Sequence, residues 1–196
     1  MRSCRSTLRP LMPRRVLVAG IGNVFLGDDA FGVEVVQRLD GRKLPEGVEV
    51  VDFGIRGMDL AYALHEDYDL VVFVDATMRG GEPGTVYLIE PEIEEGGAVS
   101  LDTHGMDPVK VIRLSGALGA SLTRTLVVGC EPQVIPGRRG GSQIHPYDDM
   151  LMELSEPVRA AVEEAAKLVE SLVAEVGTDE GSGKAAGSSI EREVES

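Results

Sequence analysis

The stretch that decides the fold runs Arg15-Val16-Leu17-Val18-Ala19-Gly20-Ile21-Gly22-Asn23-Val24-Phe25-Leu26-Gly27-Asp28-Asp29-Ala30-Phe31-Gly32-Val33. Four apolar residues, 16–19, lead into glycines, which is typical of a buried parallel strand leaving a sheet at its carboxyl end. Residues 30–39 follow at helical spacing. A strand, a glycine-rich turn and a helix form the first half of a βαβ unit. Because ligands of open α/β sheets bind at the carboxyl ends of the strands, this turn is the first candidate for a functional site.

The turn does not fit a dinucleotide-binding loop. Its glycines, Gly20, Gly22 and Gly27, do not follow the spacing G-x-G-x-x-G. A pyrophosphate would also sit on the helix N-terminus, where Asp28 and Asp29 would repel it. For Asp28 two interpretations stay open: a functional acid, or an acid that complements the helix dipole by about 0.3–1 kcal/mol. Asp29 opens the helix at the mouth of the turn, and we expect it to be functional.

The composition restricts the class of protein. A chain of 196 residues predicts one domain with a sizeable core, and with 43% apolar residues and no Trp that core should consist of Val, Leu and Ile. The net charge of −14 argues against a nucleic-acid partner. No apolar run is long enough to span a bilayer, so no membrane partner is expected. The two cysteines, Cys4 and Cys130, favour a reducing, cytoplasmic location over a disulfide framework.

The two ends of the chain differ in composition from the body. Residues 1–13 are Arg-rich and predict a disordered basic leader, in which Met12 is an alternative start. Residues 14–177 form the predicted domain. Residues 178–196 are rich in Gly, Ser and charged side chains without periodicity, so we expect a disordered acidic tail.

Hydrophobic patterning predicts an alternating α/β order. The continuous apolar run at 69–76 indicates a strand covered on both faces, and the polar flanks of 85–89 place that strand at or near an edge. The last helix should begin after Ser155 as N-cap, with Pro157 in its first turn. The predicted strands are 16–19, 48–52, 69–76, 85–89 and 126–132, and the predicted helices are 30–39, 58–64, 109–114 and about 156–173.

Three candidate ligands come from separate parts of the chain. Asp29 follows the first strand, Asp75 ends the third, and His104 lies just before a helix. If the centre of the sheet is parallel, the strand ends share one edge, and two carboxylates with an imidazole suit a divalent transition metal with open positions. Structural alternatives stay open for two of them: Asp75 can simply cap the next turn, and His104 can be a hydrogen-bonded loop histidine.

Other polar residues compete for a place in this site. His65 lies at a charged helix end, where a structural role is favoured, whereas His145 sits in a long loop and is harder to dismiss. Asp52, at the end of the second strand, can line the cleft or merely close its turn. Cys130 is expected to be a small buried residue. The sequence contains no G-x-S-x-G motif and no defensible Cys–His pair for nucleophilic catalysis.

At these residues the sequence resembles the hydrogenase maturation endopeptidases, which trim the C-terminal extension of the large subunit of nickel–iron hydrogenases. Each motif is short, but they occur in the family's order and spacing between about residues 15 and 173. The matching motifs are Gly20-Ile21-Gly22-Asn23, Gly27-Asp28-Asp29-Ala30-Phe31-Gly32, Gly54-Ile55-Arg56-Gly57-Met58-Asp59-Leu60, Val74-Asp75-Ala76, Pro83-Gly84-Thr85, His104-Gly105 and Gly129-Cys130-Glu131-Pro132.

The resemblance implies a three-layer α/β/α sandwich with a mixed, mainly parallel sheet of about five strands, one of them antiparallel. It also implies that Asp29, Asp75 and His104 contact nickel that belongs to the substrate, with zinc or cadmium as a surrogate. The implied partner is the nickel-loaded large-subunit precursor, and the enzyme is expected to be a monomer. One departure is that the family's first ligand is often Glu, whereas this chain has the shorter Asp29.

The mechanism stays open at this stage. A bound ion can polarise the scissile carbonyl and lower the pKa of a water, with Asp29 or Asp52 as general base. Alternatively, the three ligands only recognise nickel, and a neighbouring carboxylate activates water. The candidate catalytic residues are therefore Asp29, Asp52 and Asp75. Two other functions compete: a chaperone-like module that recognises the metal without cutting, and a nucleotide-binding enzyme.

Overall fold

The computed structural model describes residues 13–91, 108–120, 124–135 and 151–178. His104, His145 and Cys4 lie outside these residues, as do nearly all of the predicted leader and tail. The predicted domain limits and the predicted role of His104 therefore stay predictions.

The centre of the molecule is a five-stranded sheet with the order β2-β1-β3-β5-β4. Three neighbouring pairs are parallel, and β4 runs antiparallel to β5 at one edge. This arrangement confirms the expected mixed, mainly parallel sheet and the edge position of the fourth strand. The strands are β1 Val16–Ile21, β2 Val48–Gly54, β3 Leu70–Ala76, β4 Val86–Ile89 and β5 Thr125–Cys130.

Helices connect the strands close to the predicted positions. The predicted first helix is divided: a 3₁₀ turn, Gly27–Ala30, precedes the α-helix proper. The last helix follows Ser155 as predicted, and no helix among the described residues is long and apolar enough to cross a membrane. The helices are α1 Phe31–Leu39, α2 Gly57–Ala63, α3 Pro108–Ala117 and α4 Glu156–Thr178.

The side chains of β1 alternate between two apolar cores, as the period of a strand requires. Val16 and Val18 pack in the core formed with α1 and α4. Leu17, Ala19 and Ile21 pack in the opposite core, with residues of α2 and α3. All five side chains are buried, and each Val or Leu so buried contributes about 1.5–3 kcal/mol. The chain is therefore the expected three-layer α/β/α sandwich.

Glycines bring α1 directly against the carboxyl ends of two strands. A Cβ atom on Gly32 would lie 2.0 Å from the carbonyl oxygen of Val74 and 2.3 Å from that of Ile21. A Cβ atom on Gly20 would lie 2.6 Å from the carbonyl oxygen of Gly32. Because no larger residue fits at either position, the turn that precedes α1 is held over the ends of β1 and β3.

The sheet has a topological switch point between β1 and β3. The chain leaves β1 towards α1 in one helical layer, whereas it leaves β3 towards β4 and then α3 in the other layer. Neighbouring strands whose connections leave to opposite faces open a crevice at their carboxyl ends, where α/β proteins bind ligands.

Candidate active site at the carboxyl ends of the strands

Asp29 lies in the 3₁₀ turn after β1 and is half-buried. Its Oδ2 atom accepts a hydrogen bond from the backbone N–H of Asn23 at 2.9 Å. Gly22 adopts φ of +136°, and a Cβ atom there would lie 1.8 Å from the Asp29 carbonyl oxygen. The glycine therefore allows the turn to fold back, so that the side chain of Asp29 is held above the end of β1.

Asp75 is the penultimate residue of β3 and is buried. Its neighbours Val74 and Ala76 pack in the core with α1 and α4, so strand alternation directs Asp75 towards the layer of α2 and α3. Its Oδ1 atom accepts a hydrogen bond from the backbone N–H of Ala76 at 2.9 Å. The residue opposite, Gly129, has no side chain to cover it.

Asp52 lies on the other side of β1. In the sheet register, Gly20 is paired with Asp52 of β2 on one side and with Val74 of β3 on the other. Asp52 is exposed, and its carbonyl oxygen accepts a hydrogen bond from the Arg56 guanidinium. The structure thus brings Asp29 and Asp75 to one edge of the sheet, as the sequence predicted, and it places Asp52 at the same edge.

The described residues contain no group of three His, Cys, Asp or Glu side chains that could hold a metal ion. The predicted third ligand, His104, lies outside them, four residues before α3 begins at Pro108. His65 follows α2 and precedes β3, so it lies at the amino ends of the strands, and its side chain is exposed. The structure places His65 away from the three aspartates.

Asp28, for which the sequence left two roles open, is completely buried. Its carboxylate accepts four hydrogen bonds, three of them from backbone N–H groups. The donors are Gln133 N (2.8 Å) and Val134 N (2.7 Å), both to Oδ2, Ser155 N to Oδ1 (2.7 Å) and Ser155 Oγ to Oδ2 (2.9 Å). Asp28 therefore joins the turn to two distant segments, a role that the sequence did not reveal.

Glu131 is a third buried carboxylate, after Asp75 and Asp28, and the sequence indicated no role for it. It accepts hydrogen bonds from Arg79 N (2.7 Å), Gly80 N (3.2 Å) and the Tyr87 hydroxyl (2.9 Å). Burial opposes ionisation, but these hydrogen bonds and one from Gly81 outweigh it and lower the pKa of Glu131. Glu131 thus fixes the loop that follows Asp75.

Cys130 is unsuited to act as a nucleophile. Its side chain is fully buried, and burial, followed by the nearby charges of Asp28 and Glu131, raises its pKa to about 12. The reactive form of a cysteine is the thiolate, which is negligible at neutral pH with such a pKa. The structure confirms the expectation of a small buried residue.

Exposed apolar side chains follow the same strand ends. Large apolar residues of the loops after β1, β2, β3 and β5, of the first turn of α2 and of the segment hydrogen-bonded to Gly27 face solvent. Such residues mark a surface suited to protein contacts. They are Val24, Phe25, Ile55, Met58, Met78, Val134, Leu151 and Met152.

Known proteins are similar to this chain in sequence and in fold. A family model described as hydrogenase maturation protease (HycI) matches residues 33–172. The hydrogenase expression/formation protein HoxM of Azotobacter vinelandii is 31% identical over 165 residues, which cover 83% of this chain and 73% of HoxM. The hydrogenase 2 maturation protease of Escherichia coli is 29% identical over 157 residues, 77% of this chain and 92% of that protein.

Solved structures agree with these relatives. The hydrogenase maturating endopeptidase HybD of Escherichia coli superimposes with a TM-score of 0.63 at 27% identity, covering 83% of this chain and 94% of HybD. The matched family model spans most of the chain, including all of the sheet beyond β1. The chain therefore belongs to the hydrogenase maturation proteases and is an endopeptidase of that family.

Proposed function

We propose that this endopeptidase removes the C-terminal extension of a nickel–iron hydrogenase large-subunit precursor after nickel has been inserted. The observation that carries the proposal is the position of Asp29 and Asp75. Asp29 lies in the turn that follows β1, and Asp75 lies near the end of the neighbouring strand β3, at the switch point of the sheet. Each is inside a motif that resembles the family's nickel-contacting residues.

The metal in this proposal belongs to the substrate. Asp29 and Asp75 supply oxygen donors and His104 supplies a nitrogen donor, a set that suits nickel and its surrogates zinc and cadmium. Backbone N–H groups hold both carboxylates, which orients them without adding a neutralising cation at those bonds. Nickel on the precursor would therefore dock the scissile segment against this edge.

Cleavage is a hydrolysis in which water attacks the scissile carbonyl carbon. The carbon–nitrogen bond breaks, and the proton that the base removes from water ends on the leaving amine. Asp29 and Asp52 are the candidates for the base. Asp52 is exposed at the same edge, whereas one oxygen of Asp29 already accepts the Asn23 N–H. If Asp52 is the base, Asp52→Asn lowers kcat and leaves the affinity for cadmium unchanged.

The surroundings of the carboxylates suit a protein substrate. Exposed apolar side chains such as Phe25 and Met152 follow the strand ends and offer area for a protein partner. The net charge of −14 favours a partner whose docking region is basic or carries a metal cation. We propose that the protein meets the precursor as a monomer, which size-exclusion chromatography with light scattering checks.

The proposal is tested by incubating the purified protein with nickel-loaded and with nickel-free precursor and measuring precursor mass. A loss of mass that corresponds to the C-terminal extension, seen only with the loaded precursor, is expected. Stable binding of loaded precursor without any loss of mass would instead support the non-cleaving recognition module. Cleavage of both precursors at equal rates would show that this site does not recognise nickel on the substrate.

A further inference from the structure

We propose that Asp28 is a positioning residue for the reaction: its buried carboxylate fixes the turn that presents Asp29 to the substrate. This inference rests on the proposed function, because it needs Asp29 to contact the substrate. The two aspartates are adjacent in the chain but differ in surroundings. Asp28 has 0% of its surface exposed, whereas Asp29 is half-buried.

Four donors from two distant segments of the chain surround the carboxylate of Asp28. Gln133 and Val134 follow β5, and Ser155 immediately precedes α4. All four hydrogen bonds are between 2.7 and 2.9 Å long. A buried carboxylate is costly unless such donors surround it, so the turn has one low-energy position relative to these two segments.

Backbone hydrogen bonds also join the turn to the segments that follow β5 and precede α4. The N–H of Asp28 donates to the carbonyl oxygen of Val134 at 3.0 Å, and the N–H of Gly27 donates to that of Leu151 at 2.6 Å. On the other side of Asp29, its carbonyl oxygen lies where a Cβ of Gly22 would be. Asp29 is thereby held from both directions.

Ser155 occupies the N-cap position of α4, directly before Glu156. Serine at an N-cap commonly accepts a hydrogen bond from its own helix. Here the Ser155 hydroxyl instead donates to Asp28 at 2.9 Å. The first residues of a long helix, packed in the core through Val158 and Val162, are thus anchored to the turn beside the candidate ligand.

A double-mutant cycle separates positioning from mere stabilisation. Asp28→Asn keeps the size of the side chain but turns an amide N–H₂ towards N–H donors. We expect it to lower kcat for precursor processing at least about 10-fold and to weaken cadmium binding, since misplacement by about 1 Å can cost about 100-fold. In an Asp29→Ala background, the same substitution should cause no further loss of kcat or affinity.

Ser155→Ala is a milder variant in case Asp28→Asn does not fold. It removes one of the four donors, and we expect a smaller but measurable loss of kcat and cadmium affinity, again absent in the Asp29→Ala background. Ser115→Ala is the matched control. Ser115 is a fully buried serine, whereas Ser155 is half-buried, and the Ser115 hydroxyl has no hydrogen-bond partner among the described residues. It should leave both measurements unchanged.

The outcomes are distinguishable. If Asp29→Ala alone leaves processing intact, the proposed function at this site is wrong. If Asp29→Ala lowers cadmium affinity and processing to a residual, measurable level but Asp28→Asn and Ser155→Ala change only the melting temperature, Asp28 is purely structural and this inference is overturned. The inference would also be overturned if the fold losses of kcat in Asp28→Asn and in Asp29→Ala multiplied in the variant that carries both substitutions. Asp28 would then act independently of Asp29.

Discussion

The two ends of the parallel strands hold their carboxylates in different ways. At the amino ends, the Arg15 guanidinium pairs with Glu49 at 3.1 Å and Glu66 at 3.0 Å and lies over the ring of Tyr68. The backbone N–H of Arg15 donates to Oδ2 of Asp69 at 2.8 Å. At the carboxyl ends, Asp28, Asp29 and Asp75 accept backbone N–H groups. A cationic side chain that pairs with a carboxylate neutralises its charge, whereas a backbone N–H that donates to a carboxylate fixes its orientation and leaves the charge in place.

This difference separates charges that serve folding from charges that are available to a substrate. The amino-end cluster is exposed, so its ion pairs contribute little to stability and are screened by salt. Of the carboxyl-end acids, Asp29 and Asp75 are the two that we expect to meet a cation brought by a partner. The comparison predicts that substitutions at the carboxyl ends change activity and that substitutions at the amino ends do not.

The largest expected effect concerns His104, the proposed third ligand. Imidazole is a favoured donor for nickel and zinc, so His104→Ala should weaken binding of cadmium or zinc at least about 10-fold and abolish processing. Binding should also fade below about pH 6, because protons compete for the imidazole. Calorimetry measures the affinity. His65→Ala and His145→Ala are the controls, and loss of metal in His145→Ala with retention in His104→Ala would contradict the site.

A substitution in the apolar core at β1 should lower stability and leave activity per folded molecule unchanged, the opposite of His104→Ala. Leu17 is buried between the sheet and the layer of α2 and α3. Leu17→Ala should lower the free energy of unfolding by about 2–5 kcal/mol through lost burial and a cavity. Urea unfolding measures the loss, and activity per folded molecule should persist. A specific loss of activity with unchanged stability would place Leu17 in the site instead.

The exposed apolar residues at the carboxyl ends give a smaller expected effect. Phe25 has 45% of its surface exposed, so Phe25→Ser should hardly change stability. If this surface receives the precursor, the substitution should raise KM several-fold and leave kcat unchanged. Leu118→Ser, at a comparably exposed apolar residue beyond the end of α3, is the control. Equal effects of the two substitutions would contradict a docking surface at the strand ends.

The loss of folding stability at acid pH should also differ between the amino and the carboxyl ends of the strands, by a smaller amount. Arg15 is the main cause of the lowered pKa of Glu49, whereas burial of Glu131 is outweighed by its hydrogen-bond donors, three backbone N–H groups and the Tyr87 hydroxyl, which lower its pKa. A carboxyl whose pKa is lower in the folded state stabilises the fold above its unfolded value, near 4.5, and this contribution is lost as the pH falls through the folded pKa.

Glu49→Gln and Glu131→Gln should therefore each make stability less sensitive to pH below about 4.5. In about 1 M salt the contribution of Glu49 should shrink, because its partner is exposed, and that of Glu131 should persist. Thermal unfolding at several pH values and two salt concentrations measures both. An equal loss in salt for the two residues would show that Glu131 is as accessible to screening as Glu49.

The sequence predicted most of the fold because the decisive signals are local. The apolar runs of β1 and β3, the Gly-rich turn and the cap of α4 each lie within a few consecutive residues, and the structure confirms these elements. Strand boundaries differ by one or two residues, since strand pairing extends β1 to Ile21 and β2 to Gly54. Helices α3 and α4 continue three and five residues beyond their predicted ends. The 3₁₀ turn was not predicted, because Gly27, with φ of +58°, starts it without any periodic pattern.

The candidate site was only partly predictable. Asp29, Asp52 and Asp75 were found because each follows or ends a strand, and parallel strands bring such residues together. The roles of Asp28 and Glu131 were missed because their partners are far away in the chain: the donors to Asp28 lie 105 to 127 residues later. Among the donors to Asp28, Ser155 is the one for which the sequence predicted a structural role, that of N-cap of α4. The N-cap pattern carries no information about a contact with Asp28.

The most direct test compares two aspartates that flank the same strand. Asp69 immediately precedes β3 and binds the N–H of Arg15, whereas Asp75 lies at its carboxyl end. Nickel-loaded precursor is incubated with Asp69→Asn and with Asp75→Asn, and the mass of the precursor is followed over time. We expect Asp69→Asn to cleave like the unaltered protein and Asp75→Asn to be slower by orders of magnitude, with an unchanged circular dichroism spectrum. Equal cleavage by both variants would contradict the assignment of the site to the carboxyl ends of the strands.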